Sequence, residues 1–417
     1  MVALLAFFGR AIANVPYLRE VYYDQVIAAL SITNTELGIL SSAVGIASIL
    51  GYFFGGFLAD RFSSKKIIMI SGAAGAAGAA GALIAIWYAM FPPFPVLVFI
   101  HAAIALDGTL LFWAACVRML RLLGGKEGQG KYYGFAEGLR ATIGIVLPMV
   151  CTAIMARSVM VSAGLRNALL FYAGCYFATA VLAFFVLQDV KDEGADTERQ
   201  KFDPRECIAL FKLPGVWLVS LLIFGTYTVF SLQSYSTPYM TGICGFSPEF
   251  ASTVATFRQY GVGLAAMPLF GIFADDIIKS PAKACLIGAV LLIPCALGMM
   301  LCPPASGLLV VVIVLAIGFL AQGVRGVYYA TQNEARIPVG SAGAAAGIIS
   351  SIGFLPDAFI FAQVGGWLDA YPPEQAYGMI WVYMIVGAVI AAASALGILL
   401  IARGHELELS AEVSTSE

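Results

Sequence analysis

The sequence predicts an all-α membrane protein with twelve transmembrane helices, arranged as two six-helix bundles related by pseudo-two-fold symmetry. Three observations predict it. Of 417 residues, 60% are hydrophobic and 12% charged, with a mean hydropathy of +0.89; a soluble domain carries about 25% charged residues. Apolar runs of the roughly 20 residues needed to span a bilayer recur along the whole chain. A Gly-x-x-x-Asp pattern occurs twice, at equivalent places in the two halves.

Charged or Pro-rich breaks set the segments in order. The first half divides into 4–29, 36–59, 66–90, 95–122, 132–156 and 167–188. The second divides into 215–241, 249–275, 281–302, 306–332, 340–368 and 376–403. "FPPFP" (91–95), "CPPAS" (302–306) and "YPPEQ" (371–375) fit tight turns between neighbouring spans. The polar stretch Leu187 to Glu206 reads as a solvated linker. The expected organisation is an N-terminal bundle (1–188), a cytoplasmic linker (189–214), a C-terminal bundle (215–403) and a cytoplasmic tail (404–417).

Basic residues give the orientation. Lys65, Lys66, Arg118 to Lys131, Lys191 to Lys212, Lys279, Lys283 and Arg336 fall on one side, and little beyond Arg157 and Arg166 falls on the other. The positive-inside rule places the linker and both termini in the cytoplasm. Met1 leads almost directly into the first apolar run without a basic n-region, so no cleavable signal is expected. A net charge of −2 gives no basic surface for nucleic acid. Most of the eight cysteines lie in apolar runs, and no metal-type spacing with His occurs. Neither a cofactor nor a metal is expected, and no nucleotide-binding or hydrolase constellation points to an enzyme. Cys244 and Cys302 both fall near the outer face, which leaves their pairing open.

The second span closes on Gly56-x-x-x-Asp60-Arg61 followed by Lys65 and Lys66. Gly56 permits close helix approach. Asp60 lies at a helix C-terminus, where the macrodipole disfavours a negative charge, so it needs an outside partner. The eighth span repeats the arrangement as Gly271-x-x-x-Asp275-Asp276 with Lys279 and Lys283. Such duplication indicates a parallel internal repeat. Here the chain resembles the major facilitator superfamily, whose loop signature is Gly-x-x-x-Asp-Arg-x-Gly-Arg-Arg/Lys-Lys. Gly56, Asp60, Arg61, Lys65 and Lys66 match it; Ser63 and Ser64 replace the usual Gly and Arg, and Asp276 stands in place of Arg in the second copy. The resemblance implies that Gly56, Asp60, Arg61, Gly271 and Asp275 gate the cytoplasmic side. Topogenic charge is the plainer alternative.

"FFG" (7–9) and "ELG" (36–38) are similar to the organophosphate:phosphate antiporter branch and its less characterised relatives, and the stretches 121–140 and 325–338 resemble those relatives more than the antiporters. That branch implies a phosphate-binding Arg in the first and seventh spans. Tyr17 and Val229 occupy those places here, which weakens phosphate-ester exchange.

Ionisable groups at bilayer depth cost about 2.5–3.5 kcal/mol at a helix centre and mark functional faces. Arg10, Asn14, Tyr17 and Asp24 fall on one face of a helix, with Glu20 flanking the stripe and Arg19 pointing more to one side. Glu20 and Asp24 are the candidate proton-coupling carboxylates; helix packing is the alternative. Gln322, Arg325, Tyr329, Gln332 and Arg336 form the clearest stripe, in which Arg325 is suited to clamp an anion; a purely structural ion pair is the alternative. Asp107 lies mid-span in the fourth helix. Glu137 and Arg140 read as a structural brace. Arg258 and Asp357, the latter after helix-loosening Pro356, read as partners across the C-terminal half. Tyr227, Ser231, Ser234 and Tyr235 are neutral hydrogen-bonding groups, and His101 reads as a buried, bonded side chain.

The substrate-binding candidates are Arg10, Asn14, Tyr17, Asp107, Tyr227, Arg258, Arg325, Tyr329 and Asp357. The resemblance implies that the first, fourth, seventh and tenth spans surround one site. The resulting expectation is a monomeric secondary transporter of the bacterial-type cytoplasmic membrane. The surplus of basic groups at that site (Arg10, Arg19, Arg258 and Arg325) favours a small organic anion, such as a sugar acid or carboxylate, as its cargo, with proton coupling through Asp24, Glu20 or Asp107. The alternatives are a non-transporting ligand sensor and an exporter of lipophilic compounds.

Overall fold

The computed structural model describes residues 1–61, 80–113, 115–116, 119–120, 123, 129–187, 209–338 and 342–416. Among the described residues there is helix and turn but no strand. In the first half the helices are α1 (Val2–Asn14), α2 (Arg19–Leu30), α3 (Asn34–Arg61), α4 (Ala80–Ala89), α5 (Phe94–Leu106), α6 (Gln129–Ala156) and α7 (Val161–Val186). In the second they are α8 (Pro214–Leu232), α9 (Ser236–Gly242), α10 (Pro248–Thr256), α11 (Val262–Ile272) and α12 (Pro281–Leu301). They continue with α13 (Gly307–Val327), α14 (Ala342–Gly353), α15 (Ile360–Ala370) and α16 (Pro373–Ser416). Each of the twelve expected segments contains described helix, the third only through α4. Eight helices among the described residues are long and apolar enough to cross a membrane, and α1 is a shorter apolar one.

Local chemistry sets the helix ends. The Pro-rich turns fall between α4 and α5, α12 and α13, and α15 and α16, as the sequence predicts. Pro248 and Pro281 open their helices at N-terminal positions where a missing N–H costs nothing. Ser247 and Ser280 cap them, accepting from Phe250 N and Lys283 N at 3.2 Å each. Thr33 and Glu36 form a capping box at the start of α3: Glu36 N donates to Thr33 Oγ1 at 3.1 Å and Thr33 N to Glu36 Oε2 at 2.9 Å.

Among the described residues, four spans are broken. The first breaks between α1 and α2 at a turn containing Pro16, and Tyr22 departs again from helical geometry. The seventh breaks at Gln233–Tyr235, the tenth at Tyr328–Gln332, and the eleventh at Leu355–Ala358 around Pro356. Wider π turns follow α5, α10 and α11, at Asp107–Trp113, Phe257–Gly261 and Phe273–Ile277. Such turns expose backbone groups and cluster at functional positions.

Two compact units emerge. One comprises Met1–Arg199, Ser234–Gly261 and Asp357–Ala376; the other comprises Gln200–Gln233, Val262–Pro356 and Tyr377–Glu417. These units are not coextensive with the expected halves, because spans seven, eight and eleven divide between them at a break or a π turn. Within the first unit α3 packs on α15 and α5, α1 on α6, and α4 on α7. Within the second, α13 lies between α11 and α12, and α8 packs on α14.

Glycines set the closest approaches. A Cβ on Gly38 would stand 2.2 Å from the Phe361 carbonyl oxygen, and one on Gly45 2.4 Å from that of Asp357. From the other helix, a Cβ on Gly365 would meet the Asn34 oxygen at 2.3 Å. The α3–α15 seam is therefore backbone against backbone.

Candidate transport site

The break at Pro16 places Arg19 and Glu20 at the start of α2, and both are buried. Arg19, which helical spacing sets to one side of the stripe, stands beside Glu20 in the cluster of buried charges. The Arg19 guanidinium donates to Ser41 Oγ at 3.1 Å and Ser234 Oγ at 2.8 Å. It lies 4.0 Å from the Phe361 ring centroid and 4.8 Å from that of Tyr235, a cation–π enclosure. Arg258 sits in the π turn after α10 and is 0% exposed. Its Nη1 donates to Ser236 Oγ at 2.6 Å and Thr237 Oγ1 at 3.3 Å, and its Nη2 donates to the Glu20 carbonyl at 2.8 Å.

The Glu20 carboxylate lies between the two cations, 3.7 Å from Arg19 Nε and 3.9 Å from Arg258 Nη2. Asp357, buried in the turn before α15, adds a second carboxylate close enough to act on Glu20. The structure thus brings Arg258 and Asp357 into one cluster, but with Glu20 and Arg19 at its centre.

A second polar group in the same unit centres on Asn14. Its Nδ2 donates to Tyr172 Oη, and Tyr260 Oη donates to its Oδ1, each at 3.2 Å. Arg10 stands 4.7 Å above the Tyr260 ring and donates from Nε to the Arg140 carbonyl at 3.1 Å. Gly144 leaves room for both: its missing Cβ would be 3.1 Å from Arg10 Nε and from the Tyr260 ring. Arg140 pairs with Glu137 at 2.6 Å and lies 4.6 Å from the Trp113 centroid, which fits the structural brace. Tyr17 is half-buried against the small cluster of Val44, Ala47 and Ala105. Asp107 opens the π turn after α5 and is half-buried. Asp24 accepts from Thr241 Oγ1 at 2.6 Å. His101 is buried, with Nδ1 2.8 Å from the Leu97 carbonyl and its ring against Tyr88.

The second unit holds the Arg325 group. Arg325 lies in the last turn of α13, donates to Gln322 Oε1 at 3.2 Å, and lies 3.8 Å from the Phe230 centroid and 5.6 Å from that of Tyr227. Tyr227 packs in turn on Phe354. Tyr329 falls past the end of α13 in a 3-10 turn, where its hydroxyl meets Ser350 Oγ at 2.6 Å. Arg336 has a left-handed backbone, φ 59°. The expected stripe therefore holds for Gln322 and Arg325 and dissolves beyond them.

Of the gating candidates, Gly56, Asp60 and Arg61 lie in the helical backbone of α3, but their side chains, like Lys65, Lys66 and Arg118, lie outside the described residues. Gly271 lies in α11, and among the described residues nothing comes within 4 Å of where a Cβ would stand, so the second copy is not a close glycine contact. Asp275 is exposed in the π turn that follows. Nearby, Glu334 accepts from Ala282 N at 2.7 Å at the start of α12. The Cys302 thiol donates to the Pro303 carbonyl at 3.7 Å.

Buried cations on broken helices, ringed by hydroxyls and aromatics, suit ligand handling in a membrane. Comparison with known proteins settles the family. The model of the Major Facilitator Superfamily matches residues 1–361. The chain belongs to the Major Facilitator Superfamily. The inner membrane protein YqcE of Escherichia coli K12 is 31% identical over 91% of this chain and 89% of its own length. The probable nitrate/nitrite transporter NarK2 of Mycobacterium tuberculosis is 26% identical, covering 84% of each. Among solved structures, the nucleoside transporter NupG aligns with a TM-score of 0.73 at 13% identity, over 96% of this chain and 98% of that one. A bacterial homologue of the human lysosomal transporter Spinster, inward-facing and occupied, aligns at 0.70 and 13%, over 96% and 95%. These two show the fold. The protein is an integral membrane protein of the bacterial inner membrane, with the all-α, twelve-helix class expected, and its family is one of transporters and not of enzymes.

Proposed function

We propose that the protein is a proton-coupled secondary transporter of a small organic anion, working by alternating access. The observation that carries this reading is Arg258, a guanidinium with no exposure inside a spanning segment, held by hydroxyls and a carbonyl beside a second buried cation, Arg19. A cation at this depth is costly and is retained where a pathway needs it. Arg325, standing over Phe230 at the end of α13, gives the second unit a cation of its own. A relative named for nitrate and nitrite is consistent with an anionic cargo. In this reading Arg10, Asn14, Tyr17, Asp107, Tyr227, Arg258, Arg325, Tyr329 and Asp357 serve the substrate. Glu20 and Asp24 serve the proton, and the two Gly-x-x-x-Asp copies serve the gate. The working protein is a monomer with bundles at 1–188 and 215–403, and its linker and both termini are cytoplasmic.

Proteoliposomes test it. Uptake of labelled sugar acids, short carboxylates and nitrate is measured with and without an inward proton gradient. The expected result is saturable uptake of at least one anion, accelerated by the gradient. Uptake confined to neutral solutes would overturn the anionic reading, and uptake indifferent to the gradient would overturn proton coupling.

A further inference from the structure

Glu20 stands between two guanidinium groups at distances of 3.7 and 3.9 Å, whereas charge-assisted hydrogen bonds close to about 2.7–2.9 Å. Its Oε2 is buried and accepts no hydrogen bond among the described residues, and Arg19 Nε donates none. Each arginine is also held by groups other than this carboxylate. Ser41 and Ser234 hold Arg19, while Ser236, Thr237 and the Glu20 backbone hold Arg258. Glu20 is tethered to α2 and stops about an ångström short of both forks. A carboxylate free of the backbone can close both.

The charges around the site make the exchange neutral. Facing Glu20 are Arg19 from its own helix and Arg258 and Tyr260 from the π turn after α10. Tyr235 faces it from the turn before α9, and Asp357 from the turn before α15. The two arginines and two carboxylates sum to zero. Adding one proton to Glu20 and one monoanion between the arginines leaves the sum unchanged.

We propose that Glu20 is an internal counter-anion occupying the Arg19–Arg258 site, and that a small carboxylate-bearing substrate takes its place when Glu20 accepts a proton. The proposal rests on the anion-transporter reading and deepens it. One proton enters per negative charge bound, no covalent bond changes, and the proton leaves Glu20 when the substrate departs and the carboxylate returns.

The test uses the purified full chain. Melting temperature is titrated with sodium propionate, which carries the carboxylate of the Glu side chain, and with sodium nitrate, against matched sodium chloride. Titrations run at about pH 5 and about pH 8, on either side of neutrality. Wild type should bind propionate at least about tenfold more tightly at the acid pH. Glu20→Gln, which mimics the protonated form, should bind at the alkaline pH as wild type does at the acid one, without pH dependence. Glu20→Ala opens the place itself, and propionate should restore its melting temperature, which decides the matter if Glu20→Gln fails to fold. Retained pH dependence in Glu20→Gln, or no propionate rescue of Glu20→Ala, would overturn the proposal while anion uptake in proteoliposomes stands. Absence of both anion stabilisation and anion uptake would overturn it together with the anion-transporter reading.

Discussion

The Asp369 carboxylate accepts two hydrogen bonds from Thr35, from its backbone N at 2.7 Å and its hydroxyl at 2.6 Å. Asn34 adds two more, from its backbone N at 3.1 Å and Nδ2 at 2.8 Å. A residue at the end of α15 thus caps the N-terminus of α3, where the helix dipole favours a negative charge. The capping box of Thr33 and Glu36 satisfies the same turn from within.

This cap carries a pH dependence. Asp369 lies just beyond the eleventh expected span. Burial alone would raise its pKa, but the bonds from Thr35 and Asn34 outweigh that and hold it below the usual carboxylate value. A folded-state pKa below the unfolded one, about 3.9, gives stability that is present above the unfolded value and lost as pH falls through the folded one. Asp369→Asn should cost about 1 kcal/mol at neutral pH, toward the low end of capping effects because the group is solvent-screened. It should also flatten the acid decline of melting temperature. An acid melting profile superimposable on wild type would refute the linkage.

The α3–α15 seam should resist any added side chain. Gly45→Ala and Gly38→Ala drive a methyl against a backbone carbonyl, which cannot rotate away, and each should destabilise by about 1–3 kcal/mol. Gly378→Ala, in α16 where no described residue comes within 4 Å of the added methyl, should be neutral or slightly stabilising. Melting temperatures of the three variants check the contrast, and an equal loss in all three would contradict the seam argument.

Arg325 should distinguish charge from geometry. Its guanidinium is oriented by Gln322 and the Phe230 ring. If it receives the anion, Arg325→Lys should bind about ten- to a hundredfold more weakly, because a point charge lacks the planar two-donor fork. Arg325→Gln should be at least as poor while still folding. Wild-type affinity in either folded variant would remove Arg325 from the site.

Composition and the spacing of apolar runs made the fold class readable, because a bilayer leaves little choice of backbone structure. The Pro-rich turns were equally legible. The site was legible only in part. Arg19, Arg258, Arg325 and Asp357 stood out as charges in apolar runs, yet helical spacing did not show Arg19 and Glu20 in one cluster, because the turn at Pro16 interrupts the phase on which the count depended. Pro16 was the available signal. Tyr329 and Arg336 left their stripe for the same kind of reason, the helix giving way at Tyr328. Tyr172 beside Asn14, Ser41 beside Arg19 and Asp369 at Thr35 carry no local signature; their partners lie 158, 22 and 334 positions away.

The glycine seam has one further consequence. Joining two helices through side chains freezes rotamers, at up to about 2 kcal/mol for a long one. At Gly38, Gly45 and Gly365 there is no rotamer to freeze. At these three points the joint between α3 and α15 orders no side chain, so its close fit costs no rotamer entropy there. The register of the joint is fixed by the fit of bare backbone and by the bonds of Asp369 to Thr35.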